Sequence, residues 1–459
     1  MATTQQDALA QLREGFGGQL LAAGDAGYDE ARAVFNAMID RRPALVARCS
    51  GTADVISAVR YAREQDLPIA VRCGGHSVSG HSAGGEGALV VDLSPMKGVR
   101  VDPQAQTARA NGGVQWGEYD RETQVFGLAT PGGRVTTTGV GGFTLGGGYG
   151  WLSPKYGLSC DNLLSADVVT ADGTVVTASE TENADLFWGL RGGSGNFGIV
   201  TSFEFSVHPV GPQIYAGLLL FDRSRANDAM AAYRELTEGP PDELSTGAVH
   251  VTAPPAPFVP DELHGRPAFA VLISYCGEPA EGERLVQGLR ETGPTADVVG
   301  PIPYRAFQAM LDALNPPGLR NYVRGEHLRG LTDEAVETFL GFSTEGLHPL
   351  TVLILFQHGG AVSRVPDEAT AVAGRDAEFM FHPICNWDDP ADDEKHIGWS
   401  RGASAAMEPF KTGGVYLNFM TDEDRVRSGY ADAAYDRLVE LKRKYDPDNV
   451  FRFNQNITP

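Results

Sequence analysis

The sequence predicts an α+β protein built from two domains. At 459 residues the chain is longer than a single hydrophobic core usually supports. Its first half shows short strands with turns around one βαβ unit, and its second half shows longer antiparallel strands that alternate with helices. We expect a first domain over residues 1–207, completed by residues 426–459, and a second domain over residues 208–425 with an antiparallel sheet flanked by helices.

The βαβ unit opens the first domain. Residues 52–65 carry apolar side chains at helical spacing, and either Ser50 or Thr52 is a suitable N-cap. Strand-like runs at 44–49 and 68–72 flank this helix. The second run ends in the loop RCGGHS at 72–77, and loops that follow strands are frequent ligand sites in α/β folds.

Shorter elements complete the first domain, and longer ones build the second. The runs ALVVDL, VRVD and TARANGGV predict strands, followed by a hairpin around Asp172 and Gly173, a helix near 183–191 and the strand IVTSFEFSV. In the second domain we expect the strands QIYAGLLLF, TGAVHVTAP, AFAVLISYC, PLTVLILFQ and VYLNFM, and helices near 225–236, 281–290 and 332–340. A last amphipathic helix spans 430–445 and ends at the turn 446–449.

The stretch 130–162 is the densest in glycine. It holds ten of the 56 glycines and only three charged residues, Arg134, Lys155 and Asp161. A linker would be polar and solvated, whereas glycine lets the backbone come into direct contact with a large partner. We therefore expect this backbone to wrap a ligand.

Composition excludes several classes of function. The 37 basic and 59 acidic residues give a net charge of -22, which disfavours nucleic acid and anionic membranes as partners. The five cysteines show no CxxC spacing, so neither a disulfide framework nor a metal site is expected. The N-terminus lacks a basic region followed by an apolar one, which predicts no signal peptide and a cytoplasmic location.

Three features are ambiguous when taken alone. GSGNFG at 193–198 matches GxGxxG, but a helix precedes it and a strand follows, which is the reverse of a dinucleotide fingerprint. A lone loop histidine such as His76 is usually satisfied by hydrogen bonds, and a lone Cys160 is usually a small buried hydrophobe. Their sequence context favours a functional role for both.

Four motifs in order carry a family resemblance: RCGGHS, TPGGRVTTTGVGGFTLGGGYG, SPKYGLSCDNLL and YDPDNVFRFNQNI. Together they resemble the berberine bridge enzyme-like flavoproteins of the vanillyl-alcohol oxidase superfamily. The resemblance implies a PCMH-type FAD-binding fold for the first domain and substrate binding by the second. No motif between 211 and 412 matches firmly.

The resemblance implies FAD bonded twice, through His76 to the flavin 8α-methyl and through Cys160 to flavin C6. A doubly attached flavin suits an open site and a bulky substrate. Cys73 departs from the serine common in the family. The further cofactor-binding residues that the resemblance implies are Arg72, Cys73, Gly74, Gly75, Ser77, Gly139, Gly141, Gly142, Gly147, Gly150, Asn162, Gly198, Val200 and Asn454.

For catalysis, the resemblance implies hydride transfer to FAD while the protein takes a proton from the adjacent hydroxyl. It assigns the base to Tyr430, which would need a lowered pKa; packing at a domain seam is the alternative. Alternation along VYLNFM places Tyr416 and Asn418 on one face, towards substrate. Val140, in TGVGG, favours reaction with O2, although simple packing explains it equally well.

The predicted function is an FAD oxidase that acts on a hydroxyl-bearing carbon of a sugar, oligosaccharide or natural product and reduces O2 to hydrogen peroxide. An amine oxidase of the hydroxynicotine type and a flavin-carrying binding protein without turnover are the alternatives. The expected partners are a small-molecule substrate and O2, in a monomer or homodimer.

Overall fold

A computed structural model describes residues 5–459 and confirms the α+β class. Strands of the first part of the chain are β1 (Gln19–Leu21), β2 (Leu45–Arg48), β3 (Ile69–Arg72), β4 (Leu89–Asp92), β5 (Val99–Asp102), β6 (Thr107–Asn111), β7 (Leu128–Ala129), β8 (Leu163–Val169), β9 (Val175–Ser179), β10 (Ile199–Ser206) and β11 (His208–Pro209). Helices of this part are α1 (Gln5–Gly15), α2 (Tyr28–Arg32), α3 (Thr52–Glu64), α4 (Trp116–Thr123), α5 (Val140–Leu145), α6 (Ser153–Tyr156) and α7 (Ala184–Leu190).

Two larger sheets form this first part, and β7 and β11 pair in a third, two-stranded one. One has four strands in the order β1-β2-β4-β3, and β4 pairs in parallel with both β2 and β3. The predicted βαβ unit is therefore present, with β4 inserted between its two strands. The other sheet has five antiparallel strands in the order β5-β6-β10-β8-β9. The loop that follows β3 carries RCGGHS to the edge of the first sheet.

A ten-stranded sheet dominates the second part of the chain. Its strands are β12 (Gln213–Asp222), β13 (Leu244–Thr252), β14 (Pro267–Tyr275), β15 (Ala296–Asp297), β16 (Gly300–Pro303), β17 (Arg320–Val323), β18 (Glu326–Leu328), β19 (Val352–Gln357), β20 (Phe379–Trp387) and β21 (Lys411–Val415). The path runs β15-β12-β14-β13-β19-β20-β18-β21, while β16 pairs with β12 and β17 with β20.

Helices cover one face of this sheet and leave the other face towards the first part of the chain. Period-two alternation sends Leu219 and Phe221 of β12 into the helix-covered core, and Leu218 and Leu220 to the opposite face. The helices on this face are α8 (Ala226–Leu236), α9 (Pro279–Leu285), α10 (Gln287–Glu291), α12 (Asp333–Leu340) and α14 (Asp393–Ala406). The others, α11 (Tyr304–Gln308), α13 (Ala361–Arg364) and α15 (Asp432–Tyr445), contact helices of the first part of the chain. None of the helices described is long and apolar enough to cross a membrane.

The end of the chain returns to the first sheets. Helix α15 packs against α7, and Phe451 pairs in parallel with Ile69 beside β3. Lys442 is fully buried and donates to the carbonyl oxygens of Asn196 and Phe451, at 3.0 and 2.8 Å, and to Asp446 at 2.7 Å. This buried ion pair fixes the C-terminal segment beside the loops of the first part.

Several predicted elements differ in detail. The run VYLNFM is not one strand, because β21 ends at Val415 and Leu417–Phe419 form a 3-10 turn. The helix predicted at 281–290 is two short helices, α9 and α10. Strand β20 and helix α14 were not predicted; Pro383 lies inside β20, and proline is normally a sign against a central strand.

Candidate functional site

A cavity of about 760 Å³ lies between the glycine-rich loops and the uncovered face of the ten-stranded sheet. Its loop side is formed by the segment after β3 and by residues around Gly139. These two segments touch, because a Cβ atom added at Gly74 would lie 2.5 Å from the amide nitrogen of Gly139. Glycine at both positions is thus required for the contact.

The loop after β3 presents free amides to the cavity. Within residues 5–459, the backbone N–H groups of Gly75, His76, Ser77 and Val78 donate no hydrogen bond to another residue. Gly75 has φ 71°, in the left-handed region, so it turns the chain within this loop. Successive unpaired amides at a turn form a concave anion site, which fits a pyrophosphate.

His76 lies on the cavity wall as a neutral imidazole. Its ring stacks on Phe35 with centroids 4.3 Å apart, and Nε2 is 2.8 Å from Oγ1 of Thr137. Burial lowers the pKa of His76 to about 4, although the carboxylate of Asp312 opposes this shift. A neutral imidazole can act as a nucleophile, because one ring nitrogen keeps a free lone pair.

The opposite side of the cavity is apolar along β12, β13, β14 and β19, whereas β17 and β20 add Asn321, His382 and Asn386. Alternate positions on the uncovered sheet face supply Leu218, Leu220, Val249, Ala270, Leu272 and Ile354, which we call the apolar wall. No aspartate, glutamate or lysine is found among the described residues that line the cavity. The cavity therefore has glycine-rich loops on one side and, on the other, an apolar surface suited to an apolar ligand.

Comparison with known proteins agrees with this geometry. Residues 43–179 match a family described as FAD binding domain, and residues 415–458 match one described as berberine and berberine like. An FAD-linked oxidoreductase of Dictyostelium discoideum is 30% identical over 436 residues, covering 93% of this chain and 91% of the relative. The chain belongs to the berberine bridge enzyme-like FAD-linked oxidoreductases.

Further relatives of this family include (R)-6-hydroxynicotine oxidase of Paenarthrobacter nicotinovorans, which is 31% identical over 96% of this chain and 97% of the relative. The crystal structure of 6-hydroxy-D-nicotine oxidase from Arthrobacter nicotinovorans superposes with a TM-score of 0.85 at 29% identity, over 97% of this chain and 98% of that one. A chitooligosaccharide oxidase, at 24% identity and a TM-score of 0.85 over 99% of both chains, shares the fold.

Most of the flavin contacts expected from this family line the cavity. Besides His76, the structure places on its wall Cys73, Gly74, Gly75, Ser77, Gly139, Gly141, Gly142, Gly198, Val200 and Asn454. A Cβ atom at Gly142 would meet nothing within 4 Å, so this glycine faces open space. The residues present therefore fit an FAD whose phosphates meet the loop amides.

Four residues predicted to bind the cofactor do not line the cavity. Arg72 donates to the carbonyl oxygen of Ala31, and Asn162 donates to the carbonyl oxygen of Leu158 at 2.8 Å. Gly147 and Gly150 serve chain packing; a Cβ atom at Gly150 would collide with the carbonyl oxygen of Gly132. These four positions shape the loops rather than the wall.

Cys160 is also absent from the residues that line the cavity. Its fully buried side chain belongs to the apolar cluster that includes Leu220 and Leu272 of the apolar wall, and its Sγ is 3.7 Å from Oδ1 of Asp161. Burial and the charge of Asp161 raise the pKa of the Cys160 thiol, although Arg375 opposes this. The second bond through Cys160 stays a prediction.

Tyr430 is not among the residues that line the cavity. Its side chain is 6% exposed inside a core cluster with Leu438 and Leu441, and its hydroxyl has no hydrogen-bond partner in residues 5–459. Burial raises the pKa of Tyr430, and the nearby Tyr435 adds to the rise. A base needs the opposite shift, so this environment favours the packing alternative.

Tyr416 and Asn418 act as a pair although their predicted strand is absent. The Tyr416 hydroxyl accepts hydrogen bonds from the backbone amides of Gly148 and Tyr149, at 3.1 and 2.9 Å, and from Nδ2 of Asn418 at 3.0 Å. Nδ2 of Asn418 also donates to the carbonyl oxygen of Phe143 at 2.9 Å. Asn418 lines the cavity, whereas Tyr416 lies behind it and orients the glycine loop.

Among the polar side chains on the cavity that were not predicted from the sequence are Arg134 and His382. His382 stacks on Phe419 with centroids 3.9 Å apart, and its Nδ1 donates to the carbonyl oxygen of Arg324 at 2.6 Å. Burial lowers the pKa of His382 to about 3, so the ring is neutral and Nε2 keeps its lone pair. One feature of the sequence could have indicated Arg134, because it is one of only three charged residues in the glycine-rich stretch. No pattern in the sequence indicates a functional role for His382.

Proposed function

We propose that this chain is an oxidase that removes a hydride from a hydroxyl-bearing carbon of a largely apolar, ring-containing natural product and passes the electrons to O2. The substrate carbon loses a hydride and its hydroxyl a proton, and O2 takes up two electrons and two protons to give hydrogen peroxide. The apolar wall is the observation that supports this substrate class. When bound, FAD supplies the hydride acceptor and the reductant for O2.

The apolar wall disfavours a sugar or oligosaccharide. Each hydroxyl of a sugar needs a hydrogen-bond partner when it leaves water, and a buried hydroxyl without one costs about 1–3 kcal/mol. Leu218, Leu220, Val249 and Leu272 offer none. A ring system with few hydroxyl groups loses no such bonds and gains about 25 cal/mol for each Å² of apolar surface buried.

His382 supplies a polar contact for the reacting hydroxyl. Nε2 of His382 can accept the hydroxyl hydrogen, which fixes the orientation of the substrate carbon. Arg134 lies near it across Phe356, whose ring centroid is 3.9 Å from Cζ of Arg134 and 6.3 Å from the His382 centroid.

We further propose that FAD is attached through His76 alone. The neutral imidazole on the wall supports this attachment, and the buried position of Cys160 argues against a second one. Mass spectrometry of the denatured protein tests it: one flavin mass should remain on the peptide containing His76 and none on the peptide containing Cys160. Flavin mass on the Cys160 peptide would contradict the single attachment.

An anaerobic substrate panel tests the reaction. The yellow holoenzyme is mixed with ring alcohols that carry a hydrogen on the hydroxyl-bearing carbon, both neutral and carboxylate-bearing, with oligosaccharides, and with amines of the hydroxynicotine type, and the loss of oxidised-flavin absorbance is followed. We expect ring alcohols to reduce the flavin fastest, and air to restore the colour with one hydrogen peroxide per turnover.

Each other result selects a different function. Fast reduction by oligosaccharides would refute the proposed substrate class. Fast reduction by amines would favour the amine oxidase that the 31% identical relative suggests. No reduction by any compound, together with tight binding, would favour a flavin-carrying binding protein, and slow reoxidation in air would indicate a dehydrogenase.

A further inference from the structure

Arg134 is an unpaired positive charge in the wall of the cavity. Its side chain is only 8% exposed, and it forms no ion pair with any carboxylate in residues 5–459. Its Nε and Nη2 atoms are buried and have no hydrogen-bond partner there. No other residue that lines the described cavity carries a charge at neutral pH, since burial lowers the pKa values of the lining histidines.

The other buried cations behave differently. Arg375 is 2.6 Å from Asp161, Lys442 is 2.7 Å from Asp446, and Lys411 pairs with Glu326. A buried charge without a partner is costly, and this acidic chain provides carboxylates at each of those three positions. The missing partner of Arg134 is therefore a specific feature of the cavity.

Aromatic rings hold the guanidinium in place without neutralising it. Cζ of Arg134 lies 3.9 Å from the Phe356 ring centroid, 4.6 Å from that of Trp151 and 4.7 Å from that of Tyr149. Such contacts recover part of the desolvation cost of a cation, yet the positive charge remains. Burial lowers the pKa of Arg134 to about 10, so the side chain is still protonated at pH 7.

Building on the proposed function, we propose that the substrate carries a delocalised oxyanion, either a carboxylate or an acidic phenolate or enolate on its ring system, that pairs with Arg134. The planar guanidinium binds such an oxyanion through two parallel N–H donors, which a neutral hydroxyl cannot match. Phe356 belongs to β19, the strand that also supplies Ile354 of the apolar wall. The anion would thus be bound beside the apolar ring of the same molecule.

Ligand binding to the holoenzyme tests this proposal without requiring turnover. The probes are 2-naphthoate against neutral 2-naphthamide, and 4-nitrophenolate against neutral 4-nitroanisole, with Kd values taken from perturbation of the flavin spectrum. The first pair reports on a carboxylate and the second on a phenolate. We expect the wild-type protein to prefer the anion of at least one pair by about 10- to 100-fold, as a charge-assisted hydrogen bond in a dry site provides.

Substitutions assign the preference to Arg134. Arg134→Gln and Arg134→Met should abolish it, and Arg134→Lys should keep part of it. Arg121→Gln is the matched control, since Arg121 is 72% exposed and should leave the preference unchanged. Arg134→Met removes an unpaired buried charge, so this variant should fold at least as well as the wild type. The test therefore remains possible if Arg134→Gln fails to fold.

Two results would overturn the proposal. One is equal affinity of the wild-type protein for both members of each pair, or a preference that survives in Arg134→Met. The other is an Arg134→Gln variant that keeps the wild-type preference for the anion but has a shifted flavin midpoint potential and weaker sulfite binding. That result would show that the positive charge of Arg134 acts on the flavin and not on the substrate. If no compound of the substrate panel reduces the flavin, the preference for anions can still be measured by binding. Failure of the proposed reaction can therefore be told apart from failure of the proposed anion site.

Discussion

Replacing a buried tyrosine by phenylalanine should change stability in opposite directions at two positions of this protein. The hydroxyl of Tyr430 has no partner in the described part of the chain, so Tyr430→Phe removes an unsatisfied polar atom. The hydroxyl of Tyr416 accepts from Gly148, Tyr149 and Asn418, so Tyr416→Phe leaves three donors without their acceptor. The chemical change is the same, and only the surroundings differ.

The structure sets the size of the difference. A buried hydroxyl without a partner costs about 1–3 kcal/mol, so Tyr430→Phe should be neutral or stabilising by up to that amount. The three bonds to Tyr416 contribute about 1 kcal/mol each, so Tyr416→Phe should destabilise by about 2–4 kcal/mol. The flavin should be reduced at the wild-type rate in the first variant and more slowly in the second, because Asn418 loses an anchor on the cavity wall.

Urea unfolding of the holoenzyme, followed by tryptophan fluorescence, measures the stabilities, and anaerobic stopped-flow absorbance measures flavin reduction by a substrate from the panel. Each variant serves as the control for the other. A lower urea midpoint in Tyr430→Phe, or a tenfold slower flavin reduction, would show that the Tyr430 hydroxyl has a partner or a catalytic role, and would refute the reasoning.

Three further predictions concern the loops, the pH dependence and the C-terminal segment. Gly139→Ala should abolish FAD loading, because the added Cβ atom would lie 2.5 Å from Sγ of Cys73 and would push apart the two loops that line the cavity. Flavin content after reconstitution measures this, and a normal flavin content would contradict the prediction. Burial lowers the pKa values of His327 and His382 to about 4 and 3, so below pH 6.5 the unfolded chain binds protons that the folded protein does not. The free energy of unfolding should therefore fall by about 2 kcal/mol for each histidine as the pH drops from 6.5 to 5. A urea midpoint that stays constant over this range would contradict the linkage. Lys442→Met leaves the buried Asp446 carboxylate without its cation and should destabilise by about 3–5 kcal/mol in urea unfolding, whereas a loss below about 1 kcal/mol would show that the ion pair is not structural.

Local patterns in the sequence predicted most of the architecture. The helix 52–65, the strands on either side of it and the long antiparallel strands of the second part are present close to their predicted bounds. Periodicity of apolar residues determines such elements, since one face of each must be buried. The glycines of the RCGGHS and TGVGG loops also predicted the cavity, because only glycine allows two backbones to approach as Gly74 and Gly139 do.

The sequence is least informative where a role depends on what surrounds a side chain. Cys160 and His76 look equally reactive in the sequence, yet the 3-10 turn at Ser159–Asn162 buries Cys160 completely in an apolar cluster. Tyr430 precedes helix α15, whose packing against the first part of the chain buries its hydroxyl. Burial shifts the pKa of a thiol or phenol away from reactivity, and no short-range pattern reports burial of this kind.

Four motifs in order were enough, by their resemblance to a known family, to identify this protein as a flavin-binding member of that family. Only the tertiary structure decided which side chains face the substrate. The apolar wall comes from four strands, Arg134 from the glycine-rich stretch and His382 from a strand about 250 residues later. These groups meet because the ten-stranded sheet folds over the loops of the first part, and such long-range contacts depend on packing between elements, which the pattern within any one element does not contain.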